Sequence, residues 1–530
     1  MHGLHQVRAR CPTDPITIQA NAAPKGGLLR AWAYALALVV FCLPVFNPDL
    51  FWHLSAARWI VAHFSIPKSD SFTFTAYGTP WIDFEWGTQL LWYAVHAIGG
   101  LWGLWVLKAV GLALAFWPVD GLLRDKGASS AARAGALALW LAAMLAQSDL
   151  RADAVSAIFF AVLLRRLENR RASFLFGYAL FAAWANLHAG FVLGFGLYAW
   201  AAIVGIPGVG AEAAGAALGG LLNPYGAGLY RVLLAHASDP AVRAVMEWKP
   251  PTSHNPFQFA LLAAILGALV AIGLSFRRAS RFLLGVAFVA LCASIFSARF
   301  GAYFAPAAAM LVFTAFPRPR AALVAATLAG VTAMLYPIRA RFEPRPFSDF
   351  LVDRRAVDFV ASQQGALHGL RLFNTYEWGG YLGWKLGPEG RVFGDGRYLF
   401  HSQLPEINAA LTSAEALADF AARHQLDGFL IRRLAGTTFP MTRRYPDGAT
   451  RTFDRPWYVS YLPRARWALV YWDDQALLFV DRAKVPADWL AAHEYRWLLP
   501  GDDAARQDAM ERGEIPREAF AAEAARHSGD

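Results

Sequence analysis

Cysteine and charged residues are both scarce in this chain. Only 3 of the 530 residues are cysteine, and Cys42 and Cys292 fall inside apolar runs while Cys11 lies near the N-terminus. This excludes a disulfide framework and a metal site built from cysteines. Charged residues make up 17% of the chain and hydrophobic residues 56%, a balance too apolar for a soluble protein of this size. The composition predicts a polytopic α-helical membrane protein.

Long apolar runs begin near residue 28 and follow one another closely. A membrane span needs about 20 residues, and the runs predict about 11 spans. We expect these spans at 28–46, 101–122, 130–147, 152–167, 173–187, 189–206, 208–222, 257–275, 280–297, 300–316 and 320–337.

Basic residues mark the loops on one face of the predicted bundle. The net charge of +10 does not indicate a nucleic-acid partner, because Arg and Lys cluster in short loops between apolar runs, where membrane topology explains them. All four basic loops fall on the face that also holds the N-terminal tail, so that face is predicted to be cytoplasmic. These loops lie at 124–133, 165–171, 277–281 and 318–320.

The chain divides into four predicted parts. Residues 1–27 form a cytoplasmic tail without the pattern of a cleaved signal peptide, and 28–338 form the transmembrane domain. This domain includes a large extracytoplasmic first loop at 47–89. An extracytoplasmic α/β domain follows at 339–500 and a charged helical tail at 501–530.

Alternating patterns support the α/β assignment of the C-terminal domain. A helix is expected at 413–424, with Ser413 as its N-cap. Strands are expected at 370–374, 390–394, 428–432, 468–472 and 476–481.

The first loop carries the most informative polar residues. Asp49 opens it directly after a proline that ends the preceding helix. Apolar residues recur at helical spacing over 50–64, which predicts an amphipathic helix lying along the membrane surface, with His53 one turn after Asp49. Asp83 and Glu85 stand between aromatic residues just before the chain re-enters the membrane. Acids at this depth are costly unless they are used or paired.

Four basic side chains are candidates for binding an anion. Lys108 lies about two turns inside the second span, where an unpaired ammonium is costly. Arg151, His188 and Arg299 stand in separate outward loops, and they converge if the helices pack as a bundle. The plain alternative for each is an ordinary loop or snorkelling residue.

Three sequence segments give the chain a resemblance to a known superfamily. The first loop contains Asp-Leu-Phe-Trp-His-Leu at 49–54, and the C-terminal domain contains Tyr-Glu-Trp-Gly-Gly-Tyr-Leu at 376–382 and Val-Phe-Gly-Asp-Gly-Arg at 392–397. The chain resembles the GT-C superfamily of membrane glycosyltransferases in its many spans and in its first loop, through Asp49, the amphipathic helix after it, the Ile66-Pro67 turn and the segment 81–86. That group includes protein O-mannosyltransferases, aminoarabinose transferases and oligosaccharyltransferases. More narrowly, the segments look like a bacterial branch of this layout.

The resemblance implies a reaction and its partners. A sugar would move from a polyprenyl-phosphate donor to a glycan, lipid or protein acceptor on the extracytoplasmic face of the bacterial inner membrane. A carboxylate base and cations for the leaving phosphate suit this chemistry. Asp49 is the candidate base and Asp83 or Glu85 would orient the acceptor. The candidates for binding substrate or phosphate are His53, Lys108, Arg151, His188 and Arg299.

Two further points stay open at the level of the sequence. No cofactor is required by the pattern, although Asp49, His53 and Glu85 would be the ligands if a divalent cation such as Mg²⁺ or Mn²⁺ takes part. The same acids and cations would also suit a transporter or flippase of a lipid-linked sugar, or a non-catalytic membrane assembly subunit. A transporter predicts internal repeats, and no clear repeat is visible.

Overall fold

A computed structural model of the chain describes residues 23–238, 248–337, 339, 345–434 and 436–529. Most of the predicted cytoplasmic tail therefore lies outside the described residues. The N-terminal part of the fold is helical, and each predicted apolar run overlaps a helix. These helices are α1 (Ala23–Phe41), α2 (Leu50–His63), α3 (Trp86–Asp125), α4 (Ser130–Met144), α5 (Asp153–Glu168), α6 (Phe174–Leu187), α7 (Val192–Ile203), α8 (Val209–Gly220), α9 (Gly228–Ser238), α10 (Pro256–Ser275), α11 (Arg281–Phe296), α12 (Gly301–Ala315) and α13 (Ala321–Leu335).

Fewer helices are long enough to cross a membrane than the sequence predicts. Within the described residues, 3 helical segments are long and apolar enough to cross a membrane: Trp86–Asp125, Pro256–Leu274 and Ala298–Ala315. Five further apolar helices are shorter. The number of about 11 crossings stays a prediction, while the apolar helices indicate a membrane protein.

Helix α3 differs from its predicted bounds. It begins at Trp86 rather than at residue 101 and runs for 40 residues, with a break at Gly100, where φ is 55°. The backbone at this point is left-handed, which glycine adopts without a steric penalty. The last residues of the predicted first loop, 86–89, are therefore the first turn of α3.

The four basic loops meet at one end of the helical domain. Arg165 donates to Asp125 at 2.9 Å, which joins the loop after α3 to the end of α5. Ser280 donates to Glu168 at 2.7 Å, and the Ser129 backbone N–H donates to the carbonyl of residue 317 at 2.8 Å. The loops before α4, after α5, before α11 and before α13 therefore share one end of the bundle, as the basic pattern predicts.

Helix α2 forms where the periodicity predicts it, but its surroundings are different. Nine of its residues between Leu50 and Ile60 are buried, and Leu50, Phe51 and Leu54 share an apolar core with Val357 and Leu478 of the C-terminal domain. The apolar side of α2 therefore packs against the C-terminal domain, and its position along the membrane surface stays a prediction. The spacing of apolar residues predicts which face of a helix is apolar, but it does not predict which part of the protein packs on that face.

The C-terminal domain has the predicted α/β character. Its sheet has the strand order β1-β2-β6-β5, with β1 parallel to β2 and the other neighbours antiparallel. A separate hairpin is formed by β3 and β4. The strands are β1 (Leu372–Asn374), β2 (Gly428–Arg432), β3 (Thr438–Arg444), β4 (Thr450–Pro456), β5 (Trp467–Trp472) and β6 (Ala476–Asp481).

Short helices surround this sheet. The predicted helix at 413–424 is confirmed, and the Ser413 hydroxyl accepts from the Ala416 backbone N–H at 3.1 Å as the N-cap. The helices of the domain are α14 (Arg354–Ser362), α15 (Gln364–Leu367), α16 (Gly379–Leu386), α17 (Leu404–Ala410), α18 (Ala414–Arg423), α19 (Trp457–Tyr461), α20 (Ala487–His493), α21 (Asp503–Glu511) and α22 (Arg517–Gly529).

Three details of this domain differ from the predictions. No strand forms at 390–394, where Val392 makes only a single bridge to Thr73 of the first loop. The β3–β4 hairpin is not among the predicted strands. The charged tail at 501–530 is helical as expected, but it packs on the domain, because Glu523 accepts from the backbone N–H groups of residues 496–498 at 2.8–2.9 Å.

Candidate active site

Asp49 stands at the entrance to α2 and is held by backbone contacts around it. Its backbone N–H donates to the Asn47 side-chain oxygen at 3.1 Å, and the Asn47 amide donates to the carbonyl of Leu150 at 2.8 Å. Although Asp49 precedes the first residue of α2, its carboxylate makes no cap hydrogen bond to the helix. The carboxylate is half-buried and is directed elsewhere.

Two glycines of the C-terminal domain allow that domain to approach Asp49 closely. A Cβ atom at Gly396 would overlap Asp49 Oδ1 and lie 2.8 Å from its Cγ. A Cβ atom at Gly380 would lie 3.1 Å from the Trp52 backbone nitrogen. The two C-terminal segments that carry the resemblance therefore pack against the start of α2. Hydrogen alone, in place of a side chain, fits at Gly396.

Glu85 lies between two histidines from different elements. His53 Nδ1 is 3.8 Å from one carboxyl oxygen of Glu85, and His188 Nε2 is 3.6 Å from the other. The His188 Nδ1 accepts from the Gly190 backbone N–H at 3.0 Å and lies 2.7 Å from the Ser156 hydroxyl. An Nδ1 that accepts leaves the proton of a neutral imidazole on Nε2, so the Nε2–H of His188 faces Glu85.

Burial changes the protonation of the acids in the first loop. It raises the pKa of Glu85 to about 8, and the charge of Asp83 adds to the rise while Arg299 opposes it. Burial also raises the pKa of Asp83 to about 7. The pKa of His53 is well below its usual value, first because His53 is buried and then because Arg151 lies near. Around neutral pH, Glu85 is then largely protonated and His53 neutral, so their contact is polar rather than an ion pair.

Two arginines from different loops share one carboxylate beside Glu85. Arg151 Nε and Arg299 Nε lie 3.6 and 3.3 Å from Asp153 Oδ2, and the guanidinium of Arg299 also lies 5.1 Å from the centre of the Trp248 ring. Asp153 is buried. The cluster thus brings two guanidinium groups together at one buried carboxylate, and guanidinium groups suit the recognition of phosphate oxygens. Asp153 itself was not predicted as a site residue. Its only sequence signal is an acid two positions after Arg151 at the start of α5.

Lys108 has a different environment from the other predicted cations. Its ammonium donates to the backbone carbonyl of Leu43 and to that of Pro44, the latter at 3.3 Å. These carbonyls belong to the turn after α1, where the Leu43 carbonyl also accepts from the Trp105 ring N–H at 3.2 Å. The structure thus brings Arg151, His188 and Arg299 together around Asp153 and Glu85. The ammonium of Lys108 contacts the turn after α1 instead, and a place for Lys108 in an anion site stays a prediction.

The predicted metal ligands do not form a metal site. Within the described residues no three His, Cys, Asp or Glu side chains are arranged so that they could hold a metal ion. Asp49, His53 and Glu85 therefore do not fit the divalent-cation option as a set.

Asp83 has a more structural position than the sequence suggests. Its carboxylate accepts from the Gln89 amide at 2.7 Å and from the Glu85 backbone N–H at 3.3 Å. Its own backbone N–H donates to the Tyr225 hydroxyl at 3.0 Å. Asp83 thus fixes the turn that presents Glu85, and it ties the first loop to the loop before α9.

Arg397 connects the first loop to the C-terminal domain. Its guanidinium is 2.7 Å from Asp70 and 2.9 Å from Asp395, and it is almost completely buried. The two carboxylates raise the pKa of Arg397 further above its usual value, although burial opposes the rise. Arg397 belongs to the segment 392–397 that contributes to the resemblance, but the sequence indicates no role for it. The sequence also gives no sign that Asp70 is a partner of Arg397, because the two residues lie more than 300 positions apart.

The fold has a counterpart among solved structures. It is similar to the crystal structure of an oligosaccharyltransferase of Archaeoglobus fulgidus tethered with an acceptor peptide, at a TM-score of 0.56 and 12% identity, over 93% of this chain and 84% of that chain. No family model matches the chain, and no curated protein matches it. This likeness shows the fold of the chain, and the fold agrees with the one that the sequence resemblance implies.

Proposed function

We propose that this protein is a membrane glycosyltransferase that moves a sugar from a polyprenyl-phosphate donor to an acceptor hydroxyl on the extracytoplasmic face. The observation that carries the proposal is the placement of a carboxylate beside a cationic cluster. Asp49 makes no helix-cap bond, its charge is close enough to act on Glu85, and Glu85 adjoins the Arg151–Asp153–Arg299 group. The likeness of the fold to an oligosaccharyltransferase supports the same class of reaction.

Each of these groups has a role in the proposed step. Asp49 takes the proton from the acceptor hydroxyl, and the oxygen then forms a bond to the anomeric carbon of the donor. The bond from that carbon to the phosphate oxygen breaks, and the phosphate leaves with the electron pair. Arg151, Arg299 and the Nε2–H of His188 stabilise the charge on the leaving phosphate. A single displacement of this kind inverts the anomeric centre.

A reconstituted assay tests this function against its alternatives. In proteoliposomes that contain a polyprenyl-phosphate donor with a radiolabelled sugar, we expect labelled product and free polyprenyl phosphate, both measured by chromatography and mass spectrometry. A transporter would move intact donor between leaflets without consuming it. An assembly subunit would do neither. Either of those outcomes contradicts the proposal.

A pair of arginine variants locates the effect at the cationic cluster. Arg299→Gln should lower product formation by about 10²-fold, the usual effect of losing one group that stabilises developing negative charge. Arg124→Gln is the matched control, because Arg124 is largely exposed at the opposite end of the bundle and should keep full activity. Equal activity of the two variants contradicts the phosphate role of Arg299.

Membrane orientation is the second element of the proposal. We place the four basic loops in the cytoplasm and both the first loop and the C-terminal domain outside the inner membrane, because the basic loops share one end of the bundle and positive charge marks the cytoplasmic side. A reporter that is active only in the cytoplasm should be silent when fused after Arg345 and active when fused after Arg171. A reversed pattern contradicts the orientation, and with it the extracytoplasmic site.

A further inference from the structure

A cavity of about 500 Å³ lies between α2 and the C-terminal domain, and its lining includes Trp52 but neither His53 nor His188. This volume is within the usual range for small-molecule sites, about 300–1,000 Å³. Residues from α2, from the first loop and from the segment 379–397 line it. The cavity is separate from the Arg151–Asp153–Arg299 cluster, and the proposed reaction leaves it without a role.

The lining of the cavity has two different parts. One part is aromatic, with Trp52 and Trp59 from α2 and Phe72 and Trp81 from the rest of the first loop. Another part of the lining is the glycine-rich face of α16 and the turn after it, where 379, 380, 383, 387 and 390 are all glycine. Gly380 packs directly on Trp52, whereas a Cβ atom at Gly383 would meet only Val392 and one at Gly387 would meet nothing within 4 Å. The apolar C–H face of a sugar ring packs on aromatic faces of this kind.

Buried donors without partners line the same cavity. Among the described residues, no hydrogen-bond acceptor is found for Trp52 Nε1, Ser55 Oγ, Ser71 Oγ or Arg397 Nη1. Trp52, Ser55 and Arg397 are each more than nine-tenths buried. Buried donors are usually satisfied by the protein, by water or by a ligand. Several such donors belong to residues that line one cavity, and a ligand rich in hydrogen-bond acceptors suits this lining.

The three arginines that line the cavity each have a partner in the protein. Arg397 is held by Asp70 and Asp395. Arg58 donates to the carbonyl of Trp384 at 3.3 Å, and Arg391 lies 3.9 Å from the centre of the Tyr77 ring. The acids Asp395 and Glu389 also line the cavity and can accept hydrogen bonds. This mixture of donors and acceptors favours hydroxyl groups over a strongly anionic ligand.

From these observations we propose that the cavity binds a carbohydrate and that the acceptor of the sugar is a glycan. The inference rests on the proposed function, because it gives the acceptor a chemical class. The cavity adjoins the base: Asp395 and Arg397 line it, and Gly396 between them touches the Asp49 carboxylate. A sugar that stacks on Trp52 therefore lies one helical turn from Asp49.

Filling the cavity tests this proposal. Gly383 lies within α16, and a Cβ atom there would meet only Val392 Cγ1, at 3.7 Å. Gly383→Leu should therefore fold and project into the cavity, and leucine is also the better helix former. The matched control is Gly365→Leu on α15, an exposed position where a Cβ atom meets nothing within 4 Å.

Binding is measured without turnover, in purified protein that carries Asp49→Asn. The probes are cellobiose and N,N′-diacetylchitobiose, detected by saturation-transfer NMR and by quenching of tryptophan fluorescence. At least one of them should bind, Gly383→Leu should raise its Kd at least tenfold, and Gly365→Leu should leave the Kd unchanged. If neither disaccharide binds, the proposal is overturned. It is also overturned if an acidic hexapeptide binds more tightly than the disaccharides and Gly383→Leu weakens the binding of that peptide.

The outcome for the cavity is separate from the outcome for the reaction. If the disaccharide binds as described but no variant or wild-type protein consumes the lipid donor, the glycosyltransferase function fails and the carbohydrate site stands. If the donor is consumed but Gly383→Leu changes neither the Kd of the disaccharide nor the KM of a glycan acceptor, the carbohydrate site fails and the transferase stands.

Discussion

Asp49→Asn is expected to lower sugar transfer by about two to four orders of magnitude, the usual range for loss of a positioned acid or base. The substitution keeps the shape and the hydrogen-bonding capacity of the side chain but removes its ability to take a proton. The placement of Asp49 at the start of α2 favours a negative charge there, because the N-terminus of a helix carries a partial positive charge. Product formation per minute from the radiolabelled donor measures the effect.

Asparagine also separates catalysis from helix capping. A cap contributes only about 1 kcal/mol, and asparagine caps as well as aspartate. The carboxylate of Asp49 makes no cap hydrogen bond to α2, and asparagine keeps the size and hydrogen-bonding capacity of the side chain, so the thermal stability of the variant in detergent should change little. Asp488→Asn is the matched control, an exposed acid in the first turn of α20. Full transfer by a stable Asp49→Asn protein would falsify the assignment of the base.

Gly396→Ala is expected to reduce turnover about 10²-fold although it adds only one methyl group. The new Cβ atom would overlap Asp49 Oδ1, so the carboxylate has to move. A misplacement of about 1 Å can cost on the order of 10²-fold in rate. Gly396 is not among the glycines with positive φ, so alanine fits its backbone. The loss should appear in turnover, measured with the same radiolabelled donor.

A double variant shows whether the effect passes through Asp49. In protein that already carries Asp49→Asn, Gly396→Ala should cause little further loss, because the group it displaces has lost its function. Gly365→Ala, on the exposed surface of α15, should be neutral in both backgrounds. Additive losses in the double variant would show that Gly396 acts on something other than the base.

The sequence predicts the elements of this fold better than their packing. The helices appear at the predicted runs because each run carries its own apolar pattern, and Ser413 caps α18 through a local hydrogen bond. The position of α2 under the C-terminal domain depends on contacts between residues some 300 positions apart, and no periodicity records those. The segment 390–394 is apolar enough for a strand, but its neighbour in space is the first loop rather than the sheet.

The same limit applies to the candidate site. Arg151, His188 and Arg299 are polar residues in loops of an apolar chain, and the expectation that they converge follows from bundle packing alone. Lys108 carries the same signal but lies next to the carbonyls after α1, which only the three-dimensional structure reveals. The sequence does not predict a role for Asp153 or Arg397, because their ion-pair partners lie in distant segments of the chain.

The packing of α2 against the C-terminal domain has a consequence for biosynthesis. Val45, just before the first loop, pairs with Phe347. This pair can form only after the ribosome has synthesised about 300 further residues. At roughly 5–20 residues per second, the ribosome needs about 15–60 s to supply them. During that interval the apolar side of α2 has no C-terminal domain to cover it. A chaperone or the membrane surface would have to shield the helix until the last third of the chain emerges.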